Sequence, residues 1–239
     1  MPVQRIDKIL STMTSLSRSE AHDAVKAGRV RADGMIVKKF DEKFDPEVSA
    51  ITLDGVPVRT GKNVYLMLNK PAGYVTSTEE KGQKTVLDLI GDDFSHFYLF
   101  PAGRLDKDTE GFLILTNDGE FCHKVISPKT DTVKCYRLRT ADPMSGQDAE
   151  TLEQGVVLKD GTVCRSARLV ISDDPYEADI YITEGKYHEV RRLLASRGNR
   201  VTYLKRLSIG GVQLDPVLRS GEYRELKPEE IRAILGQNC

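Results

Sequence analysis

Between Gly103 and Gly119 the chain reads GRLDKDTEGFLILTNDG, with Asp106 and Asp108 set among Arg104, Lys107 and Glu110 ahead of an apolar run. A carboxylate in such a loop can serve as nucleophile, base or acid if the fold holds it in a cleft. The same charges on an unconstrained turn would only be solvated. Two carboxylates two residues apart on one loop rarely flank a single bond, which disfavours a glycosidase built on the Asp106–Asp108 pair. One working carboxylate is the simpler chemistry. Asp106 is the candidate because it lies in the loop entering the apolar segment, open to a partner yet carried by a rigid scaffold. Asp108 and Glu110 read as solvated or capping residues.

The scaffold must come from the surrounding elements. GFLILT, bounded by Gly111 and by Asn117-Asp118-Gly119, reads as a buried strand followed by a turn into a helix. VYLMLNKPAGYVTST reads as a strand closed by a Lys70-Pro71 turn, and RSARLVIS and EADIYITE as further strands. HEVRRLLASRG has Val190, Leu193 and Leu194 on one helical face and Gly198 as its stop. KPEEIRAIL is a second helix, with Pro228 in its first turn and Ile231, Ile234 and Leu235 as its apolar stripe. Strands outnumber helices without regular βαβ alternation, which points to an α+β domain with a mainly antiparallel sheet.

The N-terminal segment is organised differently. Ile6, Ile9 and Leu10 fall at helical spacing, and Ser17 with Glu20 forms a capping-box pattern for a second helix that Gly28 ends. RVRADGMIV reads as two short strands around an Asp33-Gly34 turn. These elements place Arg18, Lys26, Arg29 and Arg31 on one phosphate-facing surface. Turn residues and a composition shift put a linker at about Val58–Asn63, dividing residues 1–60 from 61–239.

Bulk composition excludes several function classes. The 239 residues are 39% hydrophobic, enough for a packed core, and the formal net charge is −1. Charge is nevertheless uneven. Residues 1–44 hold nine Lys/Arg against six Asp/Glu, and residues 185–206 hold seven against Glu189 alone. Two basic patches on a near-neutral chain suit a polyanion better than a membrane. Cys122, Cys135, Cys164 and Cys239, like His22, His96, His123 and His188, are dispersed, so neither a disulfide framework nor a metal site is expected. The start, MPVQRIDKIL, lacks a signal-peptide pattern, and the apolar runs are too short to span a bilayer; a cytoplasmic protein is expected.

The N-terminal run QRIDKIL…SLSRSEAHDAVKAGRVRADGMIV resembles the S4-like RNA-binding domain. Three separated stretches resemble the ribosomal-RNA pseudouridine synthases that carry such a domain: GRLDKDTEGFLILTNDG, KCYRL and EGKYHEVRRL. LNKPAGYVTST and IGGVQLD…GEYRELKPEEI extend the likeness through nearly the whole chain. The resemblance implies a small S4-like α/β domain joined to a larger catalytic domain with flanking helices. It implies that a uridine is detached at N1, turned and rejoined through C5 without a cofactor or metal.

By the same resemblance Asp106 is the essential carboxylate, acting as nucleophile at C1′ or as base at the 2′ position. Arg191 is its partner, and Tyr136 packs against the flipped uracil. Such a carboxylate must stay ionised in a partly dry pocket, where loss of water favours the neutral acid and a guanidinium opposes it. Arg104 takes a binding or flipping role, Lys186 and Arg192 meet phosphates, and Leu193 walls the pocket against water. His188 and His123 read as structural. Cys135 stands where the family commonly has threonine, and Glu189 where glutamine is frequent, which places a negative charge beside the basic helix. The expected partner is ribosomal RNA or an assembling ribosomal subunit, met by a monomer with no membrane involved. The small-subunit (16S) RNA is the expected target. Large-subunit (23S) RNA and a non-catalytic RNA-binding or assembly factor are the alternatives.

Overall fold

The structure, a computed structural model, describes residues 3–14, 16–46, 48–58, 63–94, 97–127 and 130–237. Most of the expected linker, His96 and Cys239 lie outside the described residues. The chain forms two compact units. One gathers the described residues of 1–64 with those of 90–100 and 116–119, and the other holds 65–89, 101–115 and the described residues of 120–239. No described helix is long and apolar enough to cross a membrane.

In the first unit, β1 (Gln4–Arg5) leads into α1 (Ile6–Met13) and α2 (Arg18–Lys26). Then come β2 (Val30–Ala32), β3 (Met35–Ile36), β4 (Lys43–Phe44), β5 (Ile51–Leu53) and β6 (Val56–Pro57). Ser17 and Glu20 form the expected reciprocal cap on α2, and Gly28 leaves the helix at φ +70°. Asp33 and Gly34 both take positive φ, as a tight hairpin between β2 and β3 requires. Ile6, Ile9 and Leu10 pack with Ala21, Ala24, Val25 and Ile51 in a core of its own. Arg18, Lys26, Arg29 and Arg31 are all exposed.

The second unit is built on a nine-stranded sheet. Its strands are β7 (Tyr65–Lys70), β8 (Phe100–Pro101), β9 (Glu110–Thr116), β10 (Lys134–Thr140), β13 (Arg168–Ile171), β14 (Glu177–Ile182), β15 (Val201–Ile209), β16 (Val212–Gln213) and β17 (Tyr223–Glu225). A separate ribbon pairs β11 (Val156–Val157) with β12 (Val163–Cys164). The helices are α3 (Gly119–Ile126), α4 (Gly146–Glu153), α5 (Glu189–Ser196) and α6 (Pro228–Ile234). The main order is β13-β14-β10-β15-β9-β7-β17. β10 pairs antiparallel with both β14 and β15, while β15 runs parallel to β9, so the sheet is mixed.

Sequence pattern explains the placement of strands. Phe112 to Thr116 of β9 and Leu66 to Lys70 of β7 are buried residue after residue, as continuous apolar runs should be when both faces are covered. β14 instead alternates half-buried and buried positions. Burying side chains such as Phe112, Ile114 and Met67 contributes about 1.5–3 kcal/mol each. Gly111 makes the β9–β15 contact possible. It sits at φ +99°, and a Cβ there would lie 2.2 Å from the Arg206 carbonyl oxygen.

Candidate active site

The loop between β8 and β9 carries Arg104 and Asp106, and it is fixed from below. Lys70, at the end of β7, is fully buried. Its ammonium donates to the carbonyl oxygens of Pro71 (3.0 Å), Asp106 (3.2 Å), Lys107 (3.3 Å) and Thr109 (2.8 Å). Burial lowers the Lys70 ammonium to about 8 against the raising influence of nearby carboxylates. The Thr76 hydroxyl donates to the Leu105 carbonyl at 2.7 Å, and the Gly73 N–H donates to the Lys107 carbonyl at 2.7 Å. Backbone carbonyls turned inward onto a cation leave the Asp106 side chain aimed outward.

Around Asp106 the structure gathers groups from three elements. The Arg191 Nε of α5 lies 3.8 Å from one Asp106 oxygen, and His188 Nε2 lies 3.4 Å from the other. Arg191 also reaches Asp108 at 2.8 Å and donates to the Val201 carbonyl at 3.2 Å. Asp108 is therefore more than a solvated turn residue: it shares the guanidinium, although its side chain is 69% exposed. Glu110 accepts a hydrogen bond from Tyr203 at 3.1 Å. His188, expected to be structural, stands beside the carboxylate in a left-handed backbone conformation at φ +49°.

Tyr136 projects from β10 and is 7% exposed. Its hydroxyl accepts from Arg206 Nη1 at 3.3 Å, and the Arg206 guanidinium carbon lies 5.8 Å from the ring centroid. Arg206 is itself buried and donates through Nε to the Phe112 carbonyl at 2.7 Å. Asp106, Tyr136, Arg104, His188 and Arg206 all line one cleft of about 920 Å³. That falls within the range of small-molecule sites. A smaller cavity that shares Arg104, Asp106, Tyr136 and His188 with it brings Asp106, Tyr136 and Arg191 together with the apolar side chains of Leu105, Ile182, Val190 and Leu204.

Other expected residues are placed differently. Leu193 is wholly buried and is absent from the cleft lining, because α5 turns it into the core; the four apolar residues just named form the wall instead. Lys186 is tied to Glu184 by an ion pair and donates to the Val163 carbonyl at 2.8 Å. Arg192 pairs with Asp160 at 2.5 Å and Thr162 at 3.2 Å. Both cations have protein partners, and Lys186 also lines both cavities. Arg29 is likewise bound to Asp54, and Arg31 donates to the Gly34 carbonyl at 3.1 Å. No ion pair or hydrogen bond engages the Arg104 guanidinium among the described residues.

Glu189 is not a surface charge beside a basic helix. It is 5% exposed and accepts the Lys186 backbone N–H at 2.8 Å, closing the turn that leads into α5. Burial, reinforced by Glu184, pushes its carboxyl up to about 7. Burial would also raise Glu184, but hydrogen bonds from Lys186 and the Arg165 backbone outweigh it and hold that carboxylate low. Cys164 lies within 4.8 Å of both carboxylates, and the Lys186 ammonium already supplies positive charge there.

Sequence reasoning passed over Lys70 and Arg206. A lysine before a proline at a strand end reads as a turn, and a single arginine in a basic run carries no mark of burial. The partners of both lie 36 residues or more away, apart from the Pro71 carbonyl beside Lys70.

Residues 64–196 match the family described as RNA pseudouridylate synthase. An uncharacterized RNA pseudouridine synthase, YtzG, of Bacillus subtilis strain 168 is 45% identical over 96% of this chain and 98% of its own length. Ribosomal small subunit pseudouridine synthase A of Yersinia pestis is 39% identical over 96% of this chain and 97% of its own. The protein of that name from Escherichia coli K12 is 36% identical over 97% and 100%. A crystal structure of a pseudouridylate synthase superposes with a TM-score of 0.71 at 34% identity, covering 97% of this chain and 99% of the other.

Proposed function

This chain belongs to the RNA pseudouridine synthase family, and on that premise we propose that it converts a specific uridine of small-subunit (16S) ribosomal RNA to pseudouridine. The family supplies the reaction, isomerisation of uridine within RNA. The choice of RNA is supported by relatives named for the small ribosomal subunit at 36–39% identity along nearly the full chain.

The observation that carries the chemistry is the meeting of Asp106, Arg191 and Tyr136 in one cavity. A uridine stacked in folded RNA is unreachable, so it must be extruded at a cost of a few kcal/mol. Arg104, exposed and unpaired at the cleft, is suited to holding the opened stack or an adjacent phosphate. Tyr136 offers its ring to the uracil, a contact worth about 1–3 kcal/mol, while Arg206 fixes its hydroxyl. Asp106 acts on the ribose, and Arg191 with His188 orients its two oxygens. The N1–C1′ bond breaks, the uracil turns, and a C5–C1′ bond forms. C5 gives up its proton and N1 ends protonated, so composition is unchanged and no oxidant or cofactor is consumed. Leu105, Ile182, Val190 and Leu204 keep water from the detached base, whose loss by hydrolysis is the competing outcome.

In this reading residues 1–60 act as an S4-like RNA-capturing domain through Arg18, Lys26 and Arg31, with Arg29 steadied by Asp54, and the chain works as a monomer. The test is primer-extension mapping of pseudouridine in 16S and 23S RNA, both free and in assembling subunits, with and without the protein. One new stop in 16S RNA is expected. A stop confined to 23S RNA would move the substrate to the large subunit.

A further inference from the structure

Next to the catalytic loop the chain exposes an aromatic surface that the reaction itself does not use. Tyr187 is 76% exposed, an unusual position for a large ring beside a buried carboxylate pair. Its ring stacks on that of His188, with centroids 3.9 Å apart and planes 17° from parallel. His188 in turn lies 3.4 Å from Asp106. The backbone that allows the stack is strained: His188 sits at φ +49°, a conformation retained only where the surroundings enforce it. Both residues line the large cleft, and Arg104 lines it as well. An open ring face at the rim, pre-ordered by a second ring and flanked by an unpaired guanidinium, has the features that hold unpaired bases.

We propose that Tyr187, backed by His188, is a stacking platform for a nucleobase that flanks the extruded uridine in RNA. This rests on the reading above and extends it to the neighbouring nucleotide. Extrusion leaves that base without a partner on one face, and the Tyr187 ring supplies a replacement. Because Tyr187 is absent from the small cavity where Asp106, Tyr136 and Arg191 meet, the contact is predicted to govern capture of the RNA and its sequence context more than the chemical step. The ring contributes, not the hydroxyl, for which no hydrogen bond is found among the described residues.

The experiment uses the full chain and a 16S-derived RNA fragment with 2-aminopurine placed in turn on each side of the target uridine. Tyr187→Ala is expected to raise Kd and KM by about 5- to 100-fold, with kcat changed by less than about threefold. Tyr187→Phe should stay within about twofold of the parent. Fluorescence of one of the two 2-aminopurine probes should be quenched by the parent and by Tyr187→Phe, but not by Tyr187→Ala. An unchanged Kd in Tyr187→Ala, or a loss in Tyr187→Phe equal to that in alanine, would overturn the proposal. The thermal midpoint of an exposed substitution should not move, which separates either result from misfolding. Binding and quenching are read without turnover. A parent that binds but forms no pseudouridine would therefore defeat the proposed function while still deciding this one.

Discussion

At the scale of residues, the account depends on how one guanidinium serves two carboxylates. Arg191 reaches Asp108 at 2.8 Å and Asp106 at 3.8 Å, with a third donation to the Val201 carbonyl. A lysine keeps the charge but not the fork. Arg191→Lys is therefore expected to lower kcat tenfold or more, whereas Asp108→Asn, which removes a largely exposed pair, should cost less than about 1 kcal/mol of stability. Single-turnover rates and urea midpoints check both. Glu189 yields a pH prediction. Its carboxyl is raised from an ordinary 4.5 to about 7, so the folded chain holds that proton more tightly than the unfolded chain. Stability from this source is fully present below about 4.5 and is lost as pH rises towards 7. Glu189→Gln, which keeps the shape without the ionisation, should stabilise the protein more at pH 8 than at pH 5. Equal shifts in urea midpoint at both pH values would refute this.

At the scale of elements, the loop that carries Asp106 is held by the ends of strands. Lys70→Met would leave four carbonyl oxygens without their cation, costing about 1–3 kcal/mol and loosening Asp106, so stability and kcat should fall together. Gly111→Ala would drive a methyl group into the Arg206 carbonyl oxygen at 2.2 Å, in a backbone region hostile to alanine. A loss of about 3 kcal/mol or more is expected in thermal or chemical denaturation. Such elements were only partly legible in the sequence. Local rules marked the α2 capping box, the Asp33-Gly34 hairpin, the buried β9 and the apolar face of α5, since each is decided by residues within a few positions. What the residues meet across the sheet was hidden. Asp160 lies 32 residues before Arg192, so nothing nearby showed that this cation is already neutralised. The Lys186–Glu184 pair was readable, being two residues apart, but burial of Glu184 and Glu189 was not. The likeness of three motifs named Asp106, Tyr136 and Arg191, which line one cavity; it did not show that His188 would stand beside Asp106 or that Leu193 would turn inward.

At the scale of the whole molecule, two units with separate cores suit the division proposed above between RNA capture and chemistry. Of the four cations expected to face RNA in the first unit, Arg29 is engaged by Asp54 while Arg18 and Lys26 stand exposed. Replacing Arg18, Lys26 and Arg31 together with alanine should flatten the dependence of log Kd on log salt by about 2–3, near 0.7–0.9 for each phosphate that is no longer neutralised. Filter binding from 50 to 200 mM salt measures it, and an unaltered slope would remove RNA capture from this surface. The central claim concerns Asp106 in the intact enzyme on its RNA. Asp106→Asn preserves size and much of the hydrogen bonding while removing the charge. The decisive measurement is pseudouridine formed per enzyme in a single turnover, taken beside Kd for the same 16S fragment. The account predicts no detectable product with Kd within about threefold of the parent. Product formed at a rate near that of the parent would contradict it.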